Sequence, residues 1–192
     1  MPTPARTSLD RIVEAARGIL EADGLAALTM QRVAEAVGVR PPSLYKRVRS
    51  RGELVRLVVN DVAAQLAGEV GRAAGSGDAR RDVQALAHAY RRFGRANPGA
   101  YTALFSRLPD ESRPDLATLA PANEVVMATA ASLAGPEHAL EGARLIVAWA
   151  HGFVSMELAG AFRLGGDVDA AFDFGIERLS DALTNGHRSA QR

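Results

Sequence analysis

Apolar residues recur along this chain at intervals of three and four from one end to the other. They nowhere alternate with polar residues over the β-branched and aromatic stretches that a strand needs. The spacing predicts an all-α fold of about nine helices. Ser8 caps a first helix through about Ala22, with Leu9, Ile12, Val13, Ala16, Ile19 and Leu20 on one face, and Gly24 ends it. Thr29 caps a short second helix whose Met30, Val33, Ala34 and Val37 turn inward; Gly38 reverses the chain and Val39 re-enters the core. Pro41 and Pro42 can only open a helix, because a first turn has no intrahelical N–H bond for proline to lose. The third helix therefore continues over residues 43–48, with Leu44 and Val48 inward and Tyr45, Lys46 and Arg47 outward. Residues 29–48 are the outline of a helix-turn-helix, whose second helix is the kind that enters a major groove.

Ser50 caps a longer fourth helix, residues 51 to about 73, that buries Leu54, Val55, Val58, Val62 and Leu66. The GSGD run at 75–78 then breaks the chain. We expect the fourth helix to link an N-terminal three-helix DNA-binding domain, residues 1–65, to a second, C-terminal helical bundle, residues 66–192. In the second domain a helix over 79–96 carries Val83, Leu86, Ala87, Tyr90 and Phe93, and Pro98 opens a short one with Tyr101, Leu104, Phe105 and Leu108 facing in. Residues 109–122 hold three prolines and read as a loop with at most one helical turn at 115–119. Further helices are expected over 123–133, from Gly135-Pro136 to about 162, and from 168 to about 185, with the final seven residues frayed.

Composition narrows the classes. No apolar run approaches the roughly 18 residues that span a bilayer, and Arg6, Asp10, Arg11, Glu14 and Arg17 interrupt anything resembling a signal peptide, so a cytoplasmic protein is expected. The chain has no cysteine, which excludes disulfides, thiolate zinc sites and cysteine redox sensing. His88, His138, His151 and His187 show no metal-ligand spacing, and nothing pairs a nucleophile with a base; neither a metal, a cofactor nor a catalytic residue is expected. Lys46 is the single lysine among 23 basic residues, a bias that reads as GC-rich coding. The net charge of +1 hides a concentration: residues 40–56 hold Arg40, Lys46, Arg47, Arg49, Arg51 and Arg56 against Glu53 alone. Such a patch on a near-neutral chain is a footprint for phosphate, with a solvated helix end as the alternative for Arg49 and Arg56.

At these residues the chain resembles the TetR family of bacterial transcriptional repressors. The likeness lies in the first helix ending at Gly24, Thr29 opening the second, AEAVGV at 34–39, Leu44-Tyr45, and Ser50-Arg51 before Glu53-Leu54. The C-terminal half resembles a subgroup with a Trp-x-His-Gly signature, here Trp149, His151 and Gly152. The resemblance implies that Thr29, Tyr45 and Arg51 hold phosphates, with Arg51 standing where the family usually has lysine. It also implies that Gln31, Arg40, Pro41, Pro42, Ser43, Lys46 and Arg47 lie at or near base edges, where Arg forks onto guanine and Gln onto adenine. Against this, Tyr45 can equally brace the third helix on the first, the two prolines can serve only as helix starters, and Ser43 divides evenly between a free hydroxyl and a contact. Arg40 replaces the usual Ser or Thr cap, a loss of about 1 kcal/mol. Gly52, where relatives are acidic, reads as neutral.

A small-molecule pocket in the second domain would draw on His88, Tyr101, Phe105, Met127, Trp149, His151, Phe153 and Met156, with Tyr90 and Phe93 nearby, although each aromatic or methionine is more often core than contact. His88, His151 and Glu157 are polar groups on apolar stripes and must find partners. The resemblance further implies a two-fold dimer through the last two long helices. We expect its face to be Ala143, Val147, Ala150, Val154 and Leu158 on one helix and Phe172, Ile176, Leu179 and Leu183 on the other. The function expected is a repressor released from a palindromic operator by a small-molecule ligand. The alternatives are a helical small-molecule carrier with no DNA-binding role and, with least support, an enzyme.

Overall fold

The computed structural model describes residues 8–190, with side chains described as far as Thr184. Among these residues there are nine α-helices, two single 3-10 turns and no strand. Helix α1 (Leu9–Ala27) starts where Ser8 Oγ accepts the Arg11 N–H, and it kinks at Gly24. Helix α2 (Met30–Ala36) starts on Thr29, whose hydroxyl oxygen accepts the Arg32 N–H at 3.2 Å. Gly38, at φ 75°, makes the turn to helix α3 (Pro41–Tyr45). Helix α3 is one turn shorter than expected, and bonds from Arg47 and Val48 N–H to the Leu44 carbonyl carry its path onward. Helix α4 (Arg51–Ala73) is started by two bonds: Ser50 Oγ accepts the Glu53 N–H at 3.0 Å as the N-cap, and the Glu53 carboxylate accepts the Arg49 N–H at 2.6 Å.

Helix α5 (Ala79–Ala96) buries Val83, Leu86, Ala87, Tyr90 and Phe93 as its periodicity requires, and helix α6 (Pro98–Leu104) follows at once. Tyr101, Leu104 and Leu108 are buried, but Phe105 is turned outward, because it stands at the helix end where the chain leaves the packed face.

Three helices run differently from their sequence expectation. Helix α7 (Leu116–Ala134) absorbs the second half of the expected loop and passes through Pro121. The bond that Pro121 cannot make, to the Ala117 carbonyl, falls in an exposed stretch among strong helix formers, so a cost of about 3 kcal/mol does not break the helix. This helix also corrects the expectation on apolar runs: by length and composition alone it could cross a membrane. Thr129, Ala130, Leu133 and Ala134, at its C-terminal end, are buried, and the residues before them are exposed or partly buried. Helix α8 (Ala139–Leu158) ends four residues early, at a C-cap where Gly160 (φ 62°) frees its N–H for the Glu157 carbonyl and Ala161 N–H reaches Met156. Helix α9 (Val168–Ala190) continues beyond residue 185; of the expected frayed end, residues 191 and 192 lie outside the described residues.

The chain forms two units. One takes the chain up to Gln65 together with Asn97–Leu119, and the other takes Leu66–Ala96 together with the chain from Ala120 on. The first unit is therefore not a continuous N-terminal segment. Its α6 packs on α1, because Ala100, Tyr101 and Ala103 give it a buried apolar side that α1 covers. The core of the second unit is built from Val83, Ala87, Ala130, Leu133, Ala143, Ile146, Phe172 and Ile176. Much of the expected dimer face is thereby accounted for within one protomer: Ala143, Ala150, Val154, Phe172 and Ile176 are buried. Helices α8 and α9 each need one apolar face simply to close this core.

Candidate nucleic-acid interface and the effector-side core

Helix α3 places its side chains as a DNA reader requires. Leu44 and Val48 are fully buried beneath it, while Tyr45 is 50% exposed and Lys46 and Arg47 are exposed beside it. Arg40 stands at the N-cap with no side-chain bond to the helix. The missing acceptor costs little here, because Pro41 and Pro42 have no N–H to satisfy and the Ser43 N–H bonds to the Arg40 carbonyl at 2.9 Å. That leaves the Arg40 guanidinium exposed at the entry of the helix. Pro42 is exposed, and Pro41 and Ser43 are partly buried.

Two of the expected contacts are engaged within the protein. Gln31 Nε2 donates to Glu35 Oε1 at 2.5 Å, one turn along α2. Arg51 reaches back to the end of α1, its Nε donating to the Leu28 carbonyl at 2.7 Å and an Nη to the Leu25 carbonyl at 2.8 Å. A guanidinium on carbonyls left over at the end of a helix is favourable in charge and in hydrogen bonding, so Arg51 joins α4 to α1 before any phosphate is considered. Thr29, likewise, is both the α2 cap and an expected phosphate ligand; its oxygen accepts from Arg32, and the hydroxyl hydrogen remains to donate.

The expected pocket residues divide between the two units. Met127, Trp149 and Phe153 pack against the core of the second unit; Trp149 meets Phe172 tilted and Phe153 meets it edge-on, each with ring centroids 5.0 Å apart. Trp149 lies flat against α9 where Gly175 leaves room; a Cβ there would collide with the indole ring. His151 sits between Tyr90 Oη at 3.3 Å and Ser155 Oγ at 3.4 Å, and burial pushes its imidazole below the ordinary value of 6.5, so it is neutral. His88 is at the edge, Nε2 3.1 Å from Asp173 and its ring edge-on to Phe172. Met156 points outward. Tyr101 and Phe105 belong to the first unit, where they stack on each other at 4.9 Å.

Glu157, a polar group on an apolar stripe, has a partner that its own helix does not reveal. It is Arg91, 4% exposed, whose Nε and Nη2 meet the two Glu157 oxygens at 2.8 and 2.6 Å and whose Nη2 also reaches Asp169 at 2.6 Å. Phe153 and Phe172 cover the guanidinium at 5.6 and 4.7 Å. The Glu157 bond holds the Arg91 pKa above its ordinary value. A signal was present: Arg91 falls on the Val83, Ala87, Gly94 face of α5, a charge on a buried stripe. Among the described residues no group of His, Asp and Glu gathers to hold a metal ion.

Residues 12–58 match the family model described as bacterial regulatory proteins, tetR family, and residues 83–179 match that of the tetracyclin repressor-like C-terminal domain. An uncharacterized HTH-type transcriptional regulator of Mycobacterium tuberculosis is 34% identical over 188 residues, covering 94% of this chain and 83% of that protein. The HTH-type transcriptional repressor DrrR1 of Streptomyces coeruleorubidus is 48% identical over 61 residues, 32% of this chain and 22% of the repressor. Among solved structures, apo ActR of Streptomyces coelicolor superposes with a TM-score of 0.74 at 24% identity, covering 98% of this chain and 100% of that one.

Proposed function

Because the chain belongs to the TetR family of bacterial transcriptional regulators, we propose that it is a dimeric repressor that grips a palindromic operator and lets go when a small molecule enters its second domain. The observation that carries this reading is the face of α3, where Tyr45, Lys46 and Arg47 stand exposed over the buried Leu44 and Val48. In this reading Lys46 and Arg47, with Arg40 at the helix entry, read base edges. Thr29, Tyr45 and Arg51 hold phosphates, and Gln31, Pro41, Pro42 and Ser43 line the groove. Its place of action is the cytoplasm, where the DNA is.

The dimer is formed by α8 and α9 through what their own core leaves outside: Leu145, Ala148, Gly152 and Met156 at helical spacing on α8, and Phe174 on α9. Two copies of α3 set about 34 Å apart then meet successive major grooves. We also assign the second domain to the Trp-x-His-Gly subgroup, with Trp149 fixing α8 on α9, His151 facing Tyr90, and Gly152 on the outward stripe. A ligand-bound relative supports the effector step: ActR has been solved with (S)-DNPA. A carrier role without DNA binding is set aside by family membership.

The test is selection of bound duplexes from genomic fragments, followed by titration with wild type and with Lys46→Ala, Arg47→Ala. The double variant is expected to lose about 1–3 kcal/mol of discrimination per base contact. Unchanged affinity and sequence preference would overturn the assignment of α3 as reader.

A further inference from the structure

Helix α2 turns Met30, Val33 and Ala34 into the core and leaves Gln31, Arg32 and Glu35 on its outer side. Residues 31 and 35 stand one turn apart there, and the Gln31 amide is bonded to the Glu35 carboxylate, Nε2 to Oε1 at 2.5 Å. The bond has one possible sense. An ionised carboxylate only accepts, so the amide turns its nitrogen toward Glu35 and cannot turn its oxygen there. Arg32, the cation at i,i+3 spacing that could otherwise answer Glu35, is taken by Asp23 of α1.

Both members of the pair stand on fixed backbone. Gln31 lies in the first turn of α2, two residues after the Thr29 cap, whose oxygen accepts the Arg32 N–H. Glu35 lies in the last turn, where its carbonyl accepts the Val37 and Gly38 N–H groups as the chain bends toward α3. The side-chain torsions are what remain to be settled. The last torsion of a glutamine is broad and roughly two-fold, so an unbonded amide presents its oxygen and nitrogen either way round. The bond to Glu35 removes that choice.

We propose that Glu35 is a positioning residue of the helix-turn-helix: it fixes which way round the Gln31 amide meets the bases, and so makes the base pair under Gln31 specific for adenine on one strand. This rests on the reading of α2 and α3 as the DNA-contacting pair, with Gln31 in the groove. Nε2 carries two hydrogens. With one on Glu35, the other lies beside Oε1, and the two form an edge of one donor and one acceptor, the complement of adenine N7 and N6. Guanine shows two acceptors at the same edge and gives the amide oxygen nothing to accept. Along the major groove an A·T pair and a T·A pair present their acceptor and donor in opposite order. An amide free to turn over follows either order; one pinned by Glu35 follows a single order. The Glu35 charge itself opposes phosphate binding, so it lowers affinity for every sequence alike while raising selectivity at one base pair.

The experiment uses the full chain and a duplex selected with wild type from a random library. Each position of the half-site is then changed to all four base pairs, and binding is compared for wild type, Gln31→Ala, Glu35→Ala and Glu35→Gln. Gln31→Ala marks the base pair that Gln31 reads, the one whose preference disappears. There wild type should favour adenine over thymine on the same strand by roughly tenfold, and Glu35→Ala should bring the two within about threefold, with preferences elsewhere in the site kept. Glu35→Gln removes the same charge and keeps an acceptor, so it should gain affinity on all duplexes as the alanine does but retain most of the adenine preference. A Glu35→Ala variant with the wild-type preference at that base pair, a glutamine variant as relaxed as the alanine, or a base other than adenine favoured there would each overturn the positioning role and leave DNA binding intact. If Gln31→Ala alters no position, Gln31 is not a reader and the proposal falls while the reading of α3 stands. A wild-type chain that enriches no duplex would overturn the DNA-binding reading itself.

Discussion

Arg51 joins two tasks in one side chain. Its fork closes on the Leu25 and Leu28 carbonyls, yet its position at the start of α4 is where a phosphate ligand is expected. Arg51→Lys keeps the charge and loses the fork. We expect it to lower the melting temperature while retaining most DNA affinity, whereas Arg51→Ala should do both harms and reduce the slope of affinity against salt by about 1. A charge-only role would leave the lysine variant's melting temperature at wild type. The position of Arg51 was legible because helix starts are marked by residues such as Ser50 and Glu53. Its carbonyl partners, 23 and 26 residues away, were not.

His151 makes a second residue-scale prediction. Its folded-state pKa lies below 6.5, so above that pH the imidazole is neutral folded or unfolded and contributes no slope. As pH falls through 6.5 the unfolded chain takes up the proton first, and stability declines until the lower folded value is passed. Melting temperature should therefore fall as pH drops below 6.5, and His151→Gln should flatten the fall; an identical pH profile in the variant would refute the assignment.

Between elements, the packing of α5, α8 and α9 rests on one close approach and one buried charge. Gly175→Ala puts a methyl into the Trp149 ring and should cost about 1–3 kcal/mol in denaturant unfolding, since neither helix backbone can yield without moving the core. Arg91→Met strands Glu157 and should cost about 3–5 kcal/mol, while adding Glu157→Leu should recover much of it. If the single and double variants unfold alike, the pair is not buried in the sense argued. Around this pair runs a ladder between antiparallel helices: Arg80 meets Asp181, His88 meets Asp173, and Arg91 and Arg95 meet Asp169. Arg80 holds the Asp181 carboxyl below the usual carboxylate range. These charges fall at helical spacing on each helix, but periodicity on one helix does not say which other helix answers it.

Across the whole molecule, the dimer prediction turns on which apolar face is spare. Leu145→Glu with Met156→Glu should shift the protein toward monomer in sedimentation and weaken operator binding, with the folded core unchanged in melting temperature. A dimer that survives both charges would place the interface elsewhere. The face chosen from sequence was mostly core because α8 is apolar on more than one side, and a helical wheel cannot tell the side that closes its own bundle from the side that meets a copy.

What the sequence determined by itself was local: helix starts at Ser8, Thr29, Pro41 and Ser50, the turn at Gly38, the inward pair Leu44 and Val48, and the basic concentration that follows. These are set by residues a few positions apart, through caps, φ restrictions and the 3.6-residue period. Tertiary structure alone decided that Asn97–Leu119, with Tyr101, joins the first unit and that Arg91 is the partner of Glu157. Those pairings depend on which buried polar groups and apolar faces meet once the chain is folded. Many partners satisfy the same local pattern, and only simultaneous packing chooses among them.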